Sequence, residues 1–259
     1  MTVAVCLKWV APPDRSDDRF AGISPADRSA LELALQSAEP DEEVVAVSAG
    51  PAGAERALRD ALALGAAAAV RIDLPRDAAS SSVADALAEV VRGSRLVWCG
   101  DYSLDRGTGS VPAFVAARLG IAQALGLVSI ERSGRTIRAI RRLDGARREV
   151  LRIDGPAVLS VEGSTARLRR ASVRALLAAE DADIRVVAGR ATIASPVEER
   201  PYRPRARVLA APTERSALDR VKRLTDSTSP PRRAETVVLE PAAAAERIVA
   251  ALREWGYLA

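Results

Sequence analysis

The chain has 259 residues, 48% apolar and 28% charged, enough to bury the core of one large α/β domain with or without an appendage. It contains no histidine, which removes the usual general base near neutral pH and the commonest metal ligand. A net charge of only +4 and the scarcity of aromatic side chains for base stacking argue against a nucleic-acid-binding protein.

The two cysteines and the distribution of apolar residues indicate the compartment. Cys6 and Cys99 are far apart in the sequence and each lies in an apolar run, so we expect buried, reduced thiols and neither a disulfide nor a metal site. The N-terminus shows no signal-peptide pattern, and no segment approaches the roughly 18 uninterrupted apolar residues of a membrane span. We therefore expect a cytoplasmic protein without a membrane span.

The first half of the chain alternates between short apolar runs and amphipathic helical patterns. Buried parallel strands are predicted at residues 3–7, 44–47, 68–72 and 96–99. Helices are predicted from Ser24, which can cap with Asp27 three residues later, then at residues 53–64 before Gly65, and at residues 82–92. This alternation predicts right-handed βαβ units in a Rossmann-like, doubly wound, mostly parallel sheet.

The pattern changes after residue 119. Residues 128–131, 136–143 and 148–153 are strand-like, with turn signals at Ser133-Gly134 and Asp144-Gly145, and predict an antiparallel excursion on the same sheet. The arginine-rich stretch from 132 to 152 is typical of the solvated face of a hairpin. A buried strand at 157–161 and a short helix at 172–179 complete a nucleotide-binding α/β domain, which we assign to residues 1–187.

Residues 188–259 are rich in proline and arginine and predict an extended C-terminal arm with helices near 215–224 and 241–255. In the last helix Ile248, Leu252 and Trp255 follow helical spacing. Such a stripe needs a surface to pack on, either its own domain or a second subunit. We predict that the arm packs on a partner subunit.

Ligands bind at the carboxyl ends of strands in an open parallel sheet, so the loops there are informative. The loop after the first strand lacks a G-x-G-x-x-G motif, which argues against an ordinary NAD-binding domain. After the fourth strand, residues 107–110 offer backbone N–H groups and hydroxyls at a helix N-terminus, which favours phosphate. The sequence shows no nucleophile–base pair, carboxylate dyad or metal cluster. It therefore favours nucleotide binding over catalysis.

Several strings resemble the electron transfer flavoprotein beta subunit family, including its Fix-type relatives. Residues 5–10 (V-C-L-K-W-V) are similar to the family's V-A-V-K-R-V, and residues 45–51 (V-A-V-S-A-G-P) to its V-I-A-V-S-x-G-P. Residues 58–66 (L-R-D-A-L-A-L-G-A) resemble L-R-T-A-L-A-M-G-A, and residues 155–161 resemble its L-P-A-V-V-T. The likeness covers about residues 1–185. The chain is thus identified as resembling this family across most of its first domain.

The resemblance implies the beta subunit of a heterodimer: an electron carrier without its own catalytic residues, taking electrons from a flavin or nicotinamide dehydrogenase and passing them towards the respiratory chain or another acceptor. FAD would be held by, or shared with, an alpha subunit. AMP, or a second FAD, would occupy the beta site. By correspondence the nucleotide would contact Cys6, Ser24, Pro25, Ala26, Asp27, Ala49, Asp105, Arg106, Gly107, Thr108, Gly109, Ser110, Val111 and Pro112.

The resemblance also implies a docking segment for the electron donor. Val173 takes the position of the family's apolar anchor, with Arg170 and Arg174 beside it, although the alternative is that Val173 packs under its own helix. The chain departs from the family where Ser24 and Ala26 replace Asn and Phe and where residues 109–112 replace N-Q-T-G. These departures are compatible with the mycofactocin-associated branch.

Two alternative hypotheses, from other classes of protein, are compatible with the same fold. A universal-stress-type regulator would bind an adenine nucleotide as a homodimer without flavin, but it normally carries a longer Gly-rich loop near the end of the domain. An adenylating or amide-forming enzyme would need an S-G-G-x-D-S loop after the first strand, which the sequence lacks. The universal-stress-type regulator is the alternative hypothesis that the sequence leaves open.

Overall fold

The computed structural model describes residues 2–11, 21–143, 147–191, 212–225 and 237–258. The chain divides into two compact units, Met1–Val197 and Glu198–Ala259. The domain boundary predicted after residue 187 stays a prediction, because residues 192–211 lie outside the described part of the chain. The predicted turn at Asp144-Gly145 also lies outside it.

In its described residues the first unit contains a single mostly parallel sheet. Its strands are β1 (Thr2–Cys6), β2 (Glu43–Gly50), β3 (Ala68–Asp73), β4 (Ser94–Gly100), β5 (Ala122–Ser133), β6 (Thr136–Arg142), β7 (Arg148–Ile153), β8 (Ala157–Val161) and β9 (Arg185–Ala188). Their order is β7-β6-β5-β8-β4-β1-β2-β3-β9. Only β6 pairs antiparallel with its neighbours, β5 and β7, among the described strands. The predicted doubly wound sheet with an antiparallel excursion is confirmed.

Helices cover both faces of this sheet. They are α1 (Pro25–Ser37), α2 (Glu55–Leu64), α3 (Ser80–Val90), α4 (Ser110–Leu119) and α5 (Val173–Glu180). One core joins apolar residues of α1 and α2 to one face of the sheet, and the other joins α3 and α4 to the opposite face. The small, apolar Ala, Val and Leu side chains that dominate both cores let helices and sheet approach closely.

The helix ends follow the predicted local chemistry. Ser24 caps α1, accepting a hydrogen bond from the Asp27 N–H at 2.9 Å while the Asp27 carboxylate accepts from the Ser24 N–H. Gly65 ends α2 with a φ of 117°, a backbone conformation that residues with a Cβ rarely adopt. Both caps are readable from sequence because the capping side chain or glycine lies within a few residues of the group it satisfies.

Two strands were incompletely predicted. β5 begins at Ala122, six residues before its predicted start at 128, because its first part pairs parallel with β8. β9 was not predicted at all; it is a four-residue edge strand that pairs with β3. Both depend on a partner strand distant in sequence, so local pattern carries little signal for them.

The arginine-rich hairpin of β5, β6 and β7 is lined with ion pairs. Arg138 pairs with Glu131 and Arg141 with Glu149, each across neighbouring strands. Further pairs join Arg132 to Glu39, Arg142 to Glu162 and Arg152 to Asp154. These contacts fit the predicted solvated hairpin face.

A buried ion pair lies near the amino ends of β2 and β4, at the end of the sheet opposite to the strand carboxyl ends. Arg95 donates from Nε and Nη2 to the two carboxylate oxygens of Glu42 at 2.7 and 2.6 Å, and the Glu42 side chain is fully buried. The hydrogen bonds from Arg95 lower the pKa of Glu42 to about 2. Stability from this group is therefore present above its ordinary pKa of 4.5 and is lost as the pH falls towards about 2.

Arg95→Met is expected to lower the free energy of unfolding at neutral pH by about 2–3 kcal/mol, because the buried Glu42 carboxylate loses both guanidinium hydrogen bonds and keeps, among the described residues, only the 4.0 Å contact with Arg135 and the Glu39 N–H. Urea unfolding measures this loss. The double variant Arg95→Met/Glu42→Gln is the control, since it removes the stranded charge and should recover most of the stability. A single variant as stable as the unmodified chain would contradict the prediction.

The second unit contains α6 (Ala217–Thr225) and α7 (Pro241–Glu254) in its described residues. Pro241 occupies the first position of α7, where its missing N–H costs nothing. Ile248 and Trp255 are 60% and 67% exposed, and within the described residues none of α7 is buried. The apolar stripe predicted for this helix is therefore present and exposed.

Candidate functional site

A cleft opens at the carboxyl ends of β1, β2 and β4, beside the N-terminal ends of α1, α3 and α4. We call it the strand-end cleft. It contains about 860 Å³ of empty space, its open mouth included. Its lining residues are Cys6, Leu7, Lys8, Asp27, Ala49, Pro75, Arg76, Ala78, Ser80, Val83, Leu87, Cys99, Gly100, Asp101, Tyr102, Ser103, Arg106, Thr108, Gly109, Ser110, Val111 and Pro112.

The structure brings together nine of the fourteen predicted nucleotide-contacting residues in this cleft. They are Cys6, Asp27, Ala49, Arg106, Thr108, Gly109, Ser110, Val111 and Pro112. The other five are outside the lining. Ser24 and Ala26 are fully buried under the start of α1, Pro25 is exposed, Gly107 lies in the loop before α4, and Asp105 faces a neighbouring surface hollow. Ser24 instead supports the cleft indirectly, through its capping contacts with Asp27.

Sequence reasoning missed one wall of the strand-end cleft. Pro75 and Ala78 come from the segment between β3 and α3, and Ser80, Val83 and Leu87 from α3 itself. This segment follows a predicted strand, so its position was available from the sequence, but no phosphate-binding composition marks it. Lys8 and Asp101 were also not predicted as site residues. Asp101 directly follows β4, and Lys8 lies two residues after β1.

The N-terminus of α4 is built to receive an anion. Gly109 is its N-cap residue, with φ 61° and no capping hydrogen bond from a side chain. The first helical N–H groups, those of Ser110 and Val111, cannot be satisfied within the helix, and Pro112 has none. The helix dipole adds partial positive charge at this point. A phosphate group is the ligand chemistry that such an end favours.

Two sets of contacts hold the loop before α4 over the cleft. Lys8 Nζ donates to both carboxylate oxygens of Asp105 at 2.7 Å, and Ser103 Oγ donates to the same carboxylate at 2.6 Å. Partial burial opposes ionisation of Asp105, but these hydrogen bonds outweigh it and hold its pKa below the ordinary value. Arg106 donates to the carbonyl oxygens of Asp77 and Ala78, each at 3.2 Å.

Asp101 lines the cleft, but one of its carboxylate oxygens is enclosed by protein. Its Oδ1 is buried and accepts no hydrogen bond from any described residue. Burial, with the nearby Glu162 carboxylate, raises the pKa of Asp101. The residues present therefore fit a ligand with an anionic group at the start of α4.

Asp27 is a buried carboxyl group on the cleft wall. Burial raises its pKa to about 7, against the opposing hydrogen bonds it accepts from Lys8, Ser24 and Gly100. A carboxyl group whose folded pKa exceeds its unfolded value of 3.8 stabilises the fold most at low pH. That contribution is lost as the pH rises through about 7.

Asp27→Asn is expected to remove this pH dependence, because asparagine keeps a capping oxygen but never ionises. Its stability relative to the unmodified chain should rise between about pH 5 and about pH 8, by about 2–3 kcal/mol. Urea unfolding across this range measures the difference. Two parallel stability profiles would show that Asp27 does not titrate as described.

Of the predicted docking residues, Val173 and Arg174 lie on α5 and Arg170 precedes it, and none of the three lines the strand-end cleft. Val173 begins the helix and is 73% exposed, so it does not pack beneath it. Leu176 and Leu177 are exposed on the following turn. We call these three side chains the α5 face. Arg170 and Arg174 are close to it in sequence, on either side of Val173.

Two contacts fix α5 at its ends. Arg169 forms a bidentate pair with Glu32 of α1, with Nε and Nη2 each 2.9 Å from a carboxylate oxygen. Arg59 of α2 donates to the carbonyl oxygens of Ala179, Glu180 and Ala182 at the end of α5. The α5 face is therefore presented by a helix that is held in place.

Comparison with known proteins agrees with this architecture. The family profile described as "Electron transfer flavoprotein domain" matches residues 17–191. The electron transfer flavoprotein subunit beta of Syntrophomonas wolfei is 31% identical, covering 74% of this chain and 81% of that protein. Protein FixA of Azorhizobium caulinodans is 30% identical, covering 71% of this chain and 74% of its own. The subunit beta of Clostridium acetobutylicum is 30% identical, covering 72% and 78%.

The chain belongs to the electron transfer flavoprotein beta family. The predicted resemblance, including the Fix-type relatives, is confirmed. Its function as a beta subunit of an electron transfer flavoprotein follows, and the matches decide against the universal-stress alternative. As in any such flavoprotein, the beta subunit implies an alpha partner and an electron donor. Among the described residues, no helix is long and apolar enough to cross a membrane.

Proposed function

We propose that this electron transfer flavoprotein beta subunit forms a heterodimer with an alpha subunit that holds, or shares, FAD. The complex takes electrons from a flavin or nicotinamide dehydrogenase and passes them towards the respiratory chain or another acceptor. Bound FAD supplies the electron chemistry, and the beta chain supplies binding surfaces. A cytoplasmic location is part of the proposal, since a reducing compartment keeps Cys6 and Cys99 as thiols.

We further propose that the strand-end cleft binds AMP, or the adenosine diphosphate part of a second FAD. The observation that carries this proposal is the uncapped N-terminus of α4, which offers the Ser110 and Val111 N–H groups to a phosphate. The side chains of Arg76 and Arg106 add positive charge to the lining, while the charge of Lys8 is paired with Asp105.

The arm is proposed to pack on the alpha subunit through α7. Its exposed Ile248 and Trp255, with the half-buried Leu252 between them, form the apolar stripe. An exposed apolar helix face of this kind is a typical docking element between subunits. Without alpha, the chain should be poorly behaved and colourless or nearly so.

Co-expression of the chain with its alpha subunit tests the proposal. We expect a yellow heterodimer whose absorption spectrum shows bound flavin, and release of AMP or of additional FAD when the complex is denatured and analysed by mass spectrometry. The chain purified alone provides the comparison. A stable, stoichiometrically yellow monomer would overturn the two-subunit arrangement, and a complex with no adenine nucleotide beyond alpha's flavin would overturn the cleft assignment.

A further inference from the structure

The two cysteines of the chain, Cys6 and Cys99, are far apart in the sequence but lie side by side in the sheet. Cys6 on β1 is the register partner of Cys99 on β4. Both side chains belong to the same core, on the face that packs against α3 and α4. The sequence prediction of two buried, free thiols is confirmed, but their adjacency was not predicted.

The distance between the strands permits a covalent link. Paired strands are about 4.7–4.9 Å apart, which lies within the roughly 4.4–6.8 Å Cα separation that disulfides span. The spacing between directly paired strands is shorter than the Cα separation that disulfides prefer, so a disulfide there is strained. Strained disulfides are the ones that are readily reduced. Adjacent thiols on one face of the sheet therefore suit a reversible link better than a permanent one.

The position of the pair gives it access to small molecules. Both residues line the strand-end cleft, and Cys6 is the more exposed, at 8% against 4% for Cys99. A hydrogen bond that the Cys99 thiol donates to Cys6, together with burial, raises the pKa of Cys99. A metal centre is a poorer explanation, since the described residues contain no group of three or more Cys, His, Asp or Glu side chains placed to hold an ion.

We propose that Cys6 and Cys99 form a redox-modification site at the floor of the strand-end cleft, oxidised reversibly to a disulfide by a small peroxide. The Cys6 sulfur attacks one oxygen of hydrogen peroxide, the O–O bond breaks, and water leaves to give a sulfenic acid. The Cys99 sulfur then attacks the Cys6 sulfur, the S–O bond breaks, and a second water leaves. Two thiols and one peroxide thus yield one disulfide and two waters.

The link would join β1 to β4 beneath the region where a ligand of the cleft would lie. A bound molecule would cover the floor and keep peroxide away from the Cys6 sulfur. The redox state of the pair and the occupancy of the cleft are then coupled, because a bound molecule would cover the small exposed part of Cys6 that an empty cleft leaves open. The disulfide itself does not depend on which ligand the cleft binds.

The test is to treat the full-length protein with hydrogen peroxide, denature it, label free thiols with N-ethylmaleimide and measure the intact mass. We expect the two labels of the untreated chain to fall to none, and to return after dithiothreitol. Cys6→Ser and Cys99→Ser should each keep a labelled or singly oxidised thiol and form no internal disulfide. Retention of both labels, irreversible oxidation, or links only between chains would overturn the proposal.

A second arm repeats the oxidation with AMP present. Slower disulfide formation with AMP supports the coupling between occupancy and redox state. Disulfide formation at an unchanged rate, in a sample shown by equilibrium dialysis to bind AMP, overturns that coupling. If dialysis shows no AMP binding while the disulfide still forms, the nucleotide assignment of the cleft fails and the redox site stands.

Discussion

Replacing Ser110 with glutamate is expected to abolish retention of an adenine nucleotide by the complex while the chain stays folded. Ser110 is the first residue of α4 and lines the strand-end cleft. A carboxylate there repels a phosphate that would bind to the same N–H groups. Repulsion of about 3 kcal/mol at short range corresponds to a loss of affinity of about 100-fold or more.

The fold should tolerate this change, because a negative charge in the first turn of a helix is favourable by about 0.3–1 kcal/mol. Ser110→Gln is the matched control, similar in size but uncharged, and should retain nucleotide. Mass spectrometry of the denatured complex measures retention, and thermal unfolding checks the fold. Undiminished AMP or FAD in the glutamate variant would show that the nucleotide does not bind at α4.

Ser110 is a better target than the glycines beside it. A Cβ on Gly109 would come within 2.6 Å of the Asp101 carbonyl oxygen, so a bulky substitution there disturbs the loop itself. Gly107 has more room, its nearest atom being the Ser103 carbonyl oxygen at 3.7 Å, but its side chain would stand outside the lining. Both glycines also have a φ of 61°, which residues with a Cβ rarely adopt, so enlarging either one would strain the loop.

Val173→Ala is expected to slow electron transfer from the physiological dehydrogenase, with flavin content and reduction by dithionite unchanged. An apolar anchor with neighbouring positive charges fits the pattern of a binding hot spot, and its truncation typically costs about 1–3 kcal/mol, or roughly tenfold or more in affinity. Leu177 is 66% exposed one helical turn later, so Leu177→Ala should weaken docking in the same way.

Val150→Ala provides the matched control for the α5 face. Val150 is also exposed, at 55%, but lies on β7 at an edge of the sheet. The same loss of two methyl groups there should leave donor kinetics unchanged. The apparent KM of the dehydrogenase for this flavoprotein reports docking, and the maximal rate of electron transfer reports the chemistry. Equal losses in the donor assay and in dithionite reduction would mean that Val173 has a structural role.

Local chemistry in the sequence was enough to predict most secondary structure and part of the site. The capping pair of Ser24 and Asp27 and the stop at Gly65 work through atoms only a few residues apart. The strand β8 was predicted with its observed bounds, because a fully buried strand has a continuous apolar signature. The same reasoning located the loop before α4 at the carboxyl end of β4.

Only the tertiary structure decided which distant residues meet. The α3 wall of the cleft, the edge strand β9 and the pairing of Cys6 with Cys99 all arise from strand order and register. The burial that raises the pKa of Asp27 to about 7 comes from packing around a residue that its own sequence context presents as an ordinary cap. The sequence by itself determined the elements, their caps and the family, since those depend on short-range patterns. The electrostatics and thiol pairing of the cleft were decided by the fold, since they depend on long-range contacts that one sequence does not encode locally.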